Sequence, residues 1–241
     1  MRGLLPKAWR KQLVRATRRP RVGSVDWGAL RRLEPFSRAW GGDRGRPIDR
    51  YYIEGFLEAN AELIHGTVLE IGDDGYSRRF GGRRVRTVEV LSSDAGSGVT
   101  WTADLTAAPE IPDDRFDCIV FTQTLQFIPD TAAAMETLYR VLAPAGHLLL
   151  TVPGISHSTA ADSARWQDYW RFTPAAMQWL LQRRFPADQL EVNGLGNVLS
   201  SAAFLYGLAT DELQVDELDH ADEDYPLIVT ARARKPLGGS G

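Results

Sequence analysis

VLEIGDDGYSRRFGG, residues 68–82, begins as an apolar run that ends in an acid and a glycine. This order is typical of the first strand and the ligand-binding turn of a nucleotide-binding α/β sheet. A glycine-rich phosphate loop would continue with small residues, but this chain has Asp73 and Asp74 there. A pyrophosphate binds bare backbone amides at such a turn, and a carboxylate a few ångströms away would repel it. The stretch therefore predicts a nucleotide-fold turn whose ligand carries no phosphate.

Strands and helices alternate along the chain from about Gly66 onward. Phe116–Phe121, FDCIVF, is a continuous apolar run of the kind that a parallel sheet buries on both faces. The other predicted strands are 67–71, 86–91, 99–103, 146–152, 190–194 and 226–233. The alternation predicts an α/β fold with a Rossmann-like, doubly wound and mostly parallel sheet. The seventh and last strand follows a long acidic connector, which suits antiparallel insertion.

Two predicted helices carry clear start signals. Asp130 precedes TAAAMETLYRVL as an N-cap, and Thr173 with Pro174 begins the next helix. In the second helix we expect Trp179 and Leu180 to lie in the core.

The chain divides by composition into four predicted parts: a basic segment 1–22, a helical cap region 23–65, an α/β domain 66–235 and a tail 236–241. Residues 1–22 hold eight basic side chains and no acid. They read as a solvated tail or as a helix packed on its own domain. Two alternatives are an amphipathic helix on an anionic membrane surface and a transit peptide.

The bulk numbers exclude several classes of protein. A net charge of −3 with the basic residues concentrated at one end argues against a nucleic-acid partner. The single cysteine, Cys118, excludes an internal disulfide and fits a cytoplasmic protein. There is no His/Cys cluster for a metal, and no apolar run of about 18 residues that could span a membrane.

Ligands of such sheets bind beyond the carboxyl ends of the strands. The residues at or near those ends are Glu70, Gly72, Glu89, Asp104, Leu105, Thr122 and Gln123. Glu89 stands nineteen residues after Glu70, close to the interval at which an acid takes ribose hydroxyls. S-adenosylmethionine has no phosphate and a net positive charge, so the acid-lined turn suits it better than a dinucleotide.

The chain resembles the class I S-adenosylmethionine-dependent methyltransferases of the small-molecule type. The resemblance rests on VLEIGDDGY, on ADLTAAPEIPDDRFDCIVFTQTLQFIPD and on METLYRVLAPAGHLLLTVPG, with DYWRFT and DRGRPIDRYYIE as weaker matches. It covers 66–153 well and extends loosely to residue 233.

The resemblance implies a role for each matching position toward S-adenosylmethionine. Glu70, Gly72 and Gly75 would form the methionine-side turn, with Asp74 in place of the family's second glycine. Glu89 would bind the ribose, Asp104 and Leu105 the adenine, and Thr122 and Gln123 would lie beside the methionine.

The residues that contact the acceptor are harder to predict. Arg50, Tyr51, Tyr169, Trp170 and Arg171 are candidates for the substrate pocket, and His157 and Asp168 are candidate bases. The alternative for Asp168 is an ion pair with Arg171 while the aromatic side chains fill the core. The alternative for His157 is a solvated loop histidine.

The sequence favours an enzyme that methylates the oxygen of a small molecule, such as a sugar or natural-product hydroxyl. Two other hypotheses stay open. One is a methyltransferase-like enzyme that catalyses a cyclisation or rearrangement, and the other is a non-catalytic binding or scaffold protein.

Overall fold

The computed structural model describes Trp9, Thr17 and residues 20–237. The chain divides into two compact units, Met1–Pro35 and Phe36–Gly241. In the first unit the described residues include a short 3-10 turn, Gly28–Leu30. Most of the basic segment 1–22, including what would distinguish its reading as a tail or packed helix from the membrane-surface alternative, and most of the predicted tail lie outside the described residues. Among the residues described, no helix combines the length and the apolarity needed to cross a membrane.

Within residues 36–237, the second unit is built on a seven-stranded sheet with the strand order β3-β2-β1-β4-β5-β7-β6. The strands are β1 Gly66–Ile71, β2 Val85–Ser92, β3 Trp101–Thr102, β4 Phe116–Thr122, β5 Leu142–Pro153, β6 Leu190–Leu195 and β7 Ile228–Arg234. Strands β1 to β5 pair in parallel, and β7 runs antiparallel to both β5 and β6. The predicted doubly wound α/β fold with an antiparallel last strand is confirmed.

The helices of the second unit, within residues 36–237, are α1 Ile48–Ala59, α2 Thr131–Val141, α3 Ala160–Arg165, α4 Pro174–Leu181, α5 Val198–Leu205 and α6 Val215–Asp219. Both predicted N-caps are confirmed. The Asp130 carboxylate accepts a hydrogen bond from the Ala133 amide at 3.0 Å, and the Thr173 hydroxyl accepts one from the Ala176 amide at 3.1 Å.

Helix α4 corrects one prediction about the core. Leu180 is buried as expected, but Trp179 is 65% exposed. Met177, Leu180 and Leu181 form the buried face of this short helix, and Trp179 projects from the other side with the Arg183 guanidinium over its ring.

The sheet separates two hydrophobic clusters, and β4 contributes to both. Ile119 and Phe121 belong to the cluster that includes Leu138 of α2. Cys118 and Val120 belong to the cluster that includes Ile53 of α1. Because successive strand residues face opposite sides, the apolar run of β4 is buried on both faces.

The strand order creates a switch point between β1 and β4. These strands are neighbours, yet β2 and β3 lie between them in the sequence. The crevice beyond the carboxyl ends at such a point is where open α/β sheets bind ligands. Gly72 follows β1 and Gln123 follows β4 at this edge.

Residues 36–47 lie against the loop after α5. The Phe36 amide donates to the Tyr206 carbonyl at 2.7 Å, the Thr210 amide donates to the Arg46 carbonyl at 2.9 Å, and Pro47 bridges Ala209. This docking places Trp40 near the same sheet edge.

Candidate functional site

Glu70 organises the turn that follows β1. It is 3% exposed, and its carboxylate accepts hydrogen bonds from the backbone amides of Tyr76 at 3.0 Å and Ser77 at 2.7 Å. Burial raises the pKa of Glu70. Gly72 has φ +89°, and a β-carbon built there would meet no atom of the described residues within 4 Å. The turn is therefore anchored by Glu70 and open at Gly72, where a ligand can approach the backbone.

The two aspartates of the turn are both engaged by neighbours. Asp73 accepts a hydrogen bond from the Gly75 amide at 2.8 Å. Asp74 forms an ion pair with Arg78, four residues on. Arg78 offsets the charge of Asp74, and the hydrogen bond to Asp73 holds the backbone. Both carboxylates therefore stabilise the turn.

A side-chain bond joins α1 to the turn. Arg50 donates from Nη1 to the Tyr76 hydroxyl at 2.6 Å, and its guanidinium lies 5.9 Å from the Tyr76 ring centroid. Burial raises the pKa of Tyr76. Since the Tyr76 amide also binds Glu70, a continuous chain of contacts links Arg50 to the end of β1.

Gln123, directly after β4, has a strained backbone. Its φ is +46°, and its amide donates to the Thr151 carbonyl at 2.9 Å. A non-glycine residue in this region costs about 1–3 kcal/mol and is commonly found at functional sites. The preceding Thr122 ends β4, and its carbonyl accepts a hydrogen bond from the Thr124 hydroxyl at 2.9 Å.

The predicted adenine residues follow β3. Asp104 is exposed, and its carboxylate accepts a hydrogen bond from the Thr106 amide at 2.8 Å. Leu105 is 6% exposed and belongs to the hydrophobic cluster of Ile119. Asp104 is therefore accessible to a ligand, whereas Leu105 is mostly occupied by the core.

Glu89 lies two residues before the end of its pairing with β1, level with Leu69. It is 5% exposed, and its carboxylate accepts hydrogen bonds from Trp101 Nε1 at 2.7 Å and from two nitrogens of Arg115. Burial alone would raise the pKa of Glu89, but the bonds from Arg115 and Trp101 outweigh it and lower the pKa. Both oxygens are thus used within the fold, and the predicted ribose contact would have to compete with them.

A pair of variants separates a structural role of Glu89 from ribose binding. Asp94 follows the end of β2 and is 65% exposed in its side chain, with Arg165 at 3.4 Å. We expect Glu89→Gln to lower the free energy of unfolding by about 2 kcal/mol, because Arg115 loses its buried partner. We expect Asp94→Asn to weaken S-adenosylhomocysteine binding about tenfold without destabilising the fold. Urea unfolding and calorimetric titration measure the two effects; weaker binding in Glu89→Gln alone would favour the ribose role of Glu89.

A cavity of about 240 Å³ opens beside the ends of β4 and β5. We call it the edge cavity. It is lined by Ala39, Trp40, Pro47, Asp49, Arg50, Gln123, Gln126, Phe127, Pro153, Ser156, His157, Asp162, Trp166, Asp168, Arg171, Phe204 and Ile228.

The edge cavity brings together five of the predicted residues from distant parts of the chain: Arg50, Gln123, His157, Asp168 and Arg171. Other predicted substrate residues do not line it. The Tyr51 hydroxyl binds the Asp219 carboxylate. Tyr169 and Trp170 are 44% and 42% exposed.

Asp168 and Arg171 form a clamp rather than an acid–base pair. Arg171 donates to the two Asp168 oxygens at 2.6 and 2.7 Å, and the Asp168 side chain is 6% exposed. The remaining Arg171 donors bind the carbonyls of Ser156, His157 and Trp170 at 2.7–3.2 Å. The alternative reading of Asp168, an ion pair with Arg171, is therefore confirmed. The expectation that the aromatic side chains beside it fill the core is wrong.

His157 lies in the loop after β5 and lines the edge cavity. The Trp40 ring stacks on its imidazole with centroids 5.7 Å apart, and the Phe204 ring lies 6.1 Å away. Burial, and next the Arg171 charge, lower the pKa of His157, so the imidazole is neutral near pH 7. Its Nδ1 atom is buried and has no hydrogen-bond partner among the described residues.

Asp49, Gln126 and Trp40 also line the cavity and were not predicted from the sequence. Burial raises the pKa of Asp49, whose carboxylate accepts the Arg50 amide at 2.8 Å. An acid in the first turn of a helix ordinarily interacts with the helix dipole, so the sequence alone gives no reason to assign Asp49 to a binding site. Trp40 has φ +54°, a strained conformation that no sequence pattern signals.

A model of the methyltransferase domain family matches residues 51–200, more than half of the chain. Among curated proteins, none matches this chain at a significant level.

Solved structures support the same fold. A S-adenosylmethionine-dependent methyltransferase from Archaeoglobus fulgidus matches with a TM-score of 0.52 at 12% identity, over 77% of this chain and 94% of that one. The cyclase SpnF matches with a TM-score of 0.52 at 18% identity, over 81% and 85%. The N-methyltransferase NodS from Bradyrhizobium japonicum, in complex with S-adenosyl-L-homocysteine, matches with a TM-score of 0.50 at 17% identity, over 80% and 90%. This chain belongs to the methyltransferase domain family and is a class I S-adenosylmethionine-dependent methyltransferase.

Proposed function

We propose that the enzyme methylates the oxygen of a small molecule, a sugar or other natural-product hydroxyl, bound in the edge cavity. The observation that carries the proposal is His157, a neutral imidazole that lines the cavity and whose buried Nδ1 has no hydrogen-bond partner among the described residues. A hydroxyl is a poor nucleophile until it loses its proton, and a neutral histidine is the usual acceptor of that proton near pH 7.

The turn after β1 fits S-adenosylmethionine at its methionine end. A β-carbon at Gly72 would meet no atom of the described residues within 4 Å, so the backbone there is open to a ligand. We assign Gly72, Gly75, Thr122 and Gln123 to the methionine moiety. Arg50, whose guanidinium reaches Tyr76 in this turn, supplies a positive charge for its carboxylate.

We assign the rest of the cofactor to the outer strands. Asp104 is exposed and can accept the adenine amino group, with Leu105 behind it. Glu89 or Asp94 serves the ribose, as the variants above decide. When bound, the cofactor supplies a methyl group activated by a positively charged sulfur.

The residues of the cavity then have separate tasks. His157 accepts the hydroxyl proton at Nδ1, in the tautomer that carries its hydrogen on Nε2. Trp40 covers the imidazole and excludes water from it. Arg171 fixes the loop by holding the Ser156 and His157 carbonyls, so the imidazole stays in place. Positioning of this kind is the main contribution of a protein to a displacement reaction.

The test is transfer of a labelled methyl group by the purified full-length chain. We expect S-adenosylmethionine labelled on its methyl group to pass its label to a hydroxyl compound, with release of one S-adenosylhomocysteine per product. Mass spectrometry of the product identifies the methylated atom. Label found on an amine would replace the proposal by N-methylation, the reaction named for NodS. Conversion of an acceptor without label would instead indicate a cyclisation or rearrangement, as the name of SpnF describes for that protein.

A further inference from the structure

Gln126 is a buried amide with one atom left unsatisfied. It lies in the short turn after β4, is 6% exposed and lines the edge cavity. Its Nε2 donates to the Gln123 carbonyl at 2.9 Å, which fixes the orientation of the amide. Its Oε1 is buried and has no hydrogen-bond partner among the described residues. A buried acceptor without a partner destabilises a fold, so such an atom needs an explanation.

Among the described residues that line this cavity, His157 also has a buried atom without a hydrogen-bond partner, Nδ1. Two described side chains that line one cavity thus each carry a buried polar atom without a hydrogen-bond partner. Both can accept a hydrogen bond, since the amide orientation makes Oε1 an acceptor and a neutral imidazole has one acceptor nitrogen. A ligand that completes the site therefore brings hydrogen-bond donors.

The charged side chains of the cavity also favour an uncharged acceptor. All five N–H groups of Arg171 are used by Asp168 and by the carbonyls of Ser156, His157 and Trp170. Arg50 donates to the Tyr76 hydroxyl, and in the assignment above its charge serves the carboxylate of the cofactor. The carboxylates of Asp49 and Asp162 also line the cavity. With Arg50 assigned to the cofactor and Arg171 saturated, a carboxylate or phosphate on the acceptor would meet these acids with no further cation among the described lining residues to neutralise it.

We propose that the acceptor is an uncharged compound with at least two hydrogen-bond donors, one of which binds Oε1 of Gln126 while His157 serves the reacting hydroxyl. Gln126 is then the residue that selects donor-rich, uncharged acceptors over anionic ones. This proposal rests on the proposed function, because it assumes that the edge cavity holds the acceptor. The cofactor's ammonium group is the other source of a donor for Oε1, and the experiment separates the two.

The probes are matched pairs of sugars that differ in charge. Methyl glycosides of glucose, galactose and mannose are compared with the methyl glycosides of glucuronate, galacturonate and mannuronate as acceptors of labelled methyl groups. We expect label on neutral members and none on their anionic counterparts. A preference for an anionic member would overturn the proposal.

Gln126→Leu tests the residue itself, with Gln182→Leu as the matched control at an exposed glutamine outside the cavity. We expect Gln126→Leu to raise KM for the neutral acceptor about tenfold or more, with a smaller change in kcat and an unchanged Kd for S-adenosylhomocysteine. Gln126→Glu keeps an acceptor oxygen and is expected to restore part of the loss.

Two results would contradict this assignment in different ways. If Gln126→Leu weakens S-adenosylhomocysteine binding tenfold, Oε1 serves the cofactor and the acceptor proposal is wrong. If no panel member accepts label although S-adenosylhomocysteine binds, then the proposed function fails and this proposal fails with it.

Discussion

His157→Asn is expected to lower kcat by about 100-fold to 10,000-fold, the range that a general base contributes. Asparagine keeps a polar atom near the position of Nδ1, but it cannot accept a proton. The hydrogen bond from Arg171 goes to the backbone carbonyl of this residue and is kept, so we expect the loop to tolerate the change even though the ring stacking with Trp40 is lost. Labelled methyl transfer at saturating cofactor measures the effect. His220→Asn, a change at an exposed histidine in the acidic connector, is the matched control and should retain full activity.

The pH profile identifies the group that takes the proton. Burial and the Arg171 charge lower the pKa of His157 against the opposing charges of Asp162 and Asp168. The neutral, active form therefore persists to pH values below the ordinary histidine pKa of about 6.5. We expect kcat/KM to rise with pH and to reach half its maximum below that value, and we expect this limb to disappear in His157→Asn.

Ionisation of Asp49 is the competing explanation for a rise of kcat/KM with pH. Burial raises its pKa, so the two groups titrate closer together than a free aspartate and histidine would. If the limb survives in His157→Asn and vanishes in Asp49→Asn, then Asp49 is the base and our assignment is wrong.

The fold could be predicted from the sequence because its signals are local. Phe116–Phe121 was recognised as a buried strand from its apolar run alone, and the observed strand ends one residue later. The same strand prediction places Gln123 at the carboxyl end of β4, where ligands of such sheets bind. It needs no information about residues elsewhere in the chain. Trp179 shows the limit of this approach: hydrophobicity favoured the core, but the rotation of a short helix about its axis decides which side chains are buried.

The cavity could be predicted only in part because its walls come from separate elements. Asp49 lies at the start of α1, and Trp40 depends on the docking of residues 36–47 against the loop after α5. Glu89 has the spacing of a ribose-binding acid, yet its carboxylate already accepts hydrogen bonds from Trp101 and Arg115. Spacing along the chain does not reveal such competition between side chains.

Arg171→Ala is expected to lower the free energy of unfolding by about 2–3 kcal/mol. Breaking a fully buried ion pair costs about 3–5 kcal/mol, and the 28% exposure of the Arg171 side chain reduces that figure. The loss leaves Asp168 buried without its cation and releases two carbonyls of the loop that carries His157. Urea unfolding measures the change. Arg184→Ala is the matched control, since its pair with Glu136 is about half exposed and should contribute little to stability.

A double-mutant cycle then separates the interaction energy of the Asp168–Arg171 pair from the other effects of removing the arginine. If Asp168 and Arg171 act as one unit, Asp168→Ala with Arg171→Ala destabilises the fold much less than the sum of the two single changes. Arg171→Lys should recover little, because an ammonium cannot bind both carboxylate oxygens and three carbonyls in the geometry of the guanidinium. We expect kcat to fall in all four variants even under conditions where each stays folded, since the loop that positions His157 loses its anchor. If Arg171→Ala is no more destabilising than Arg184→Ala and retains full kcat, the clamp neither stabilises the fold nor positions the base.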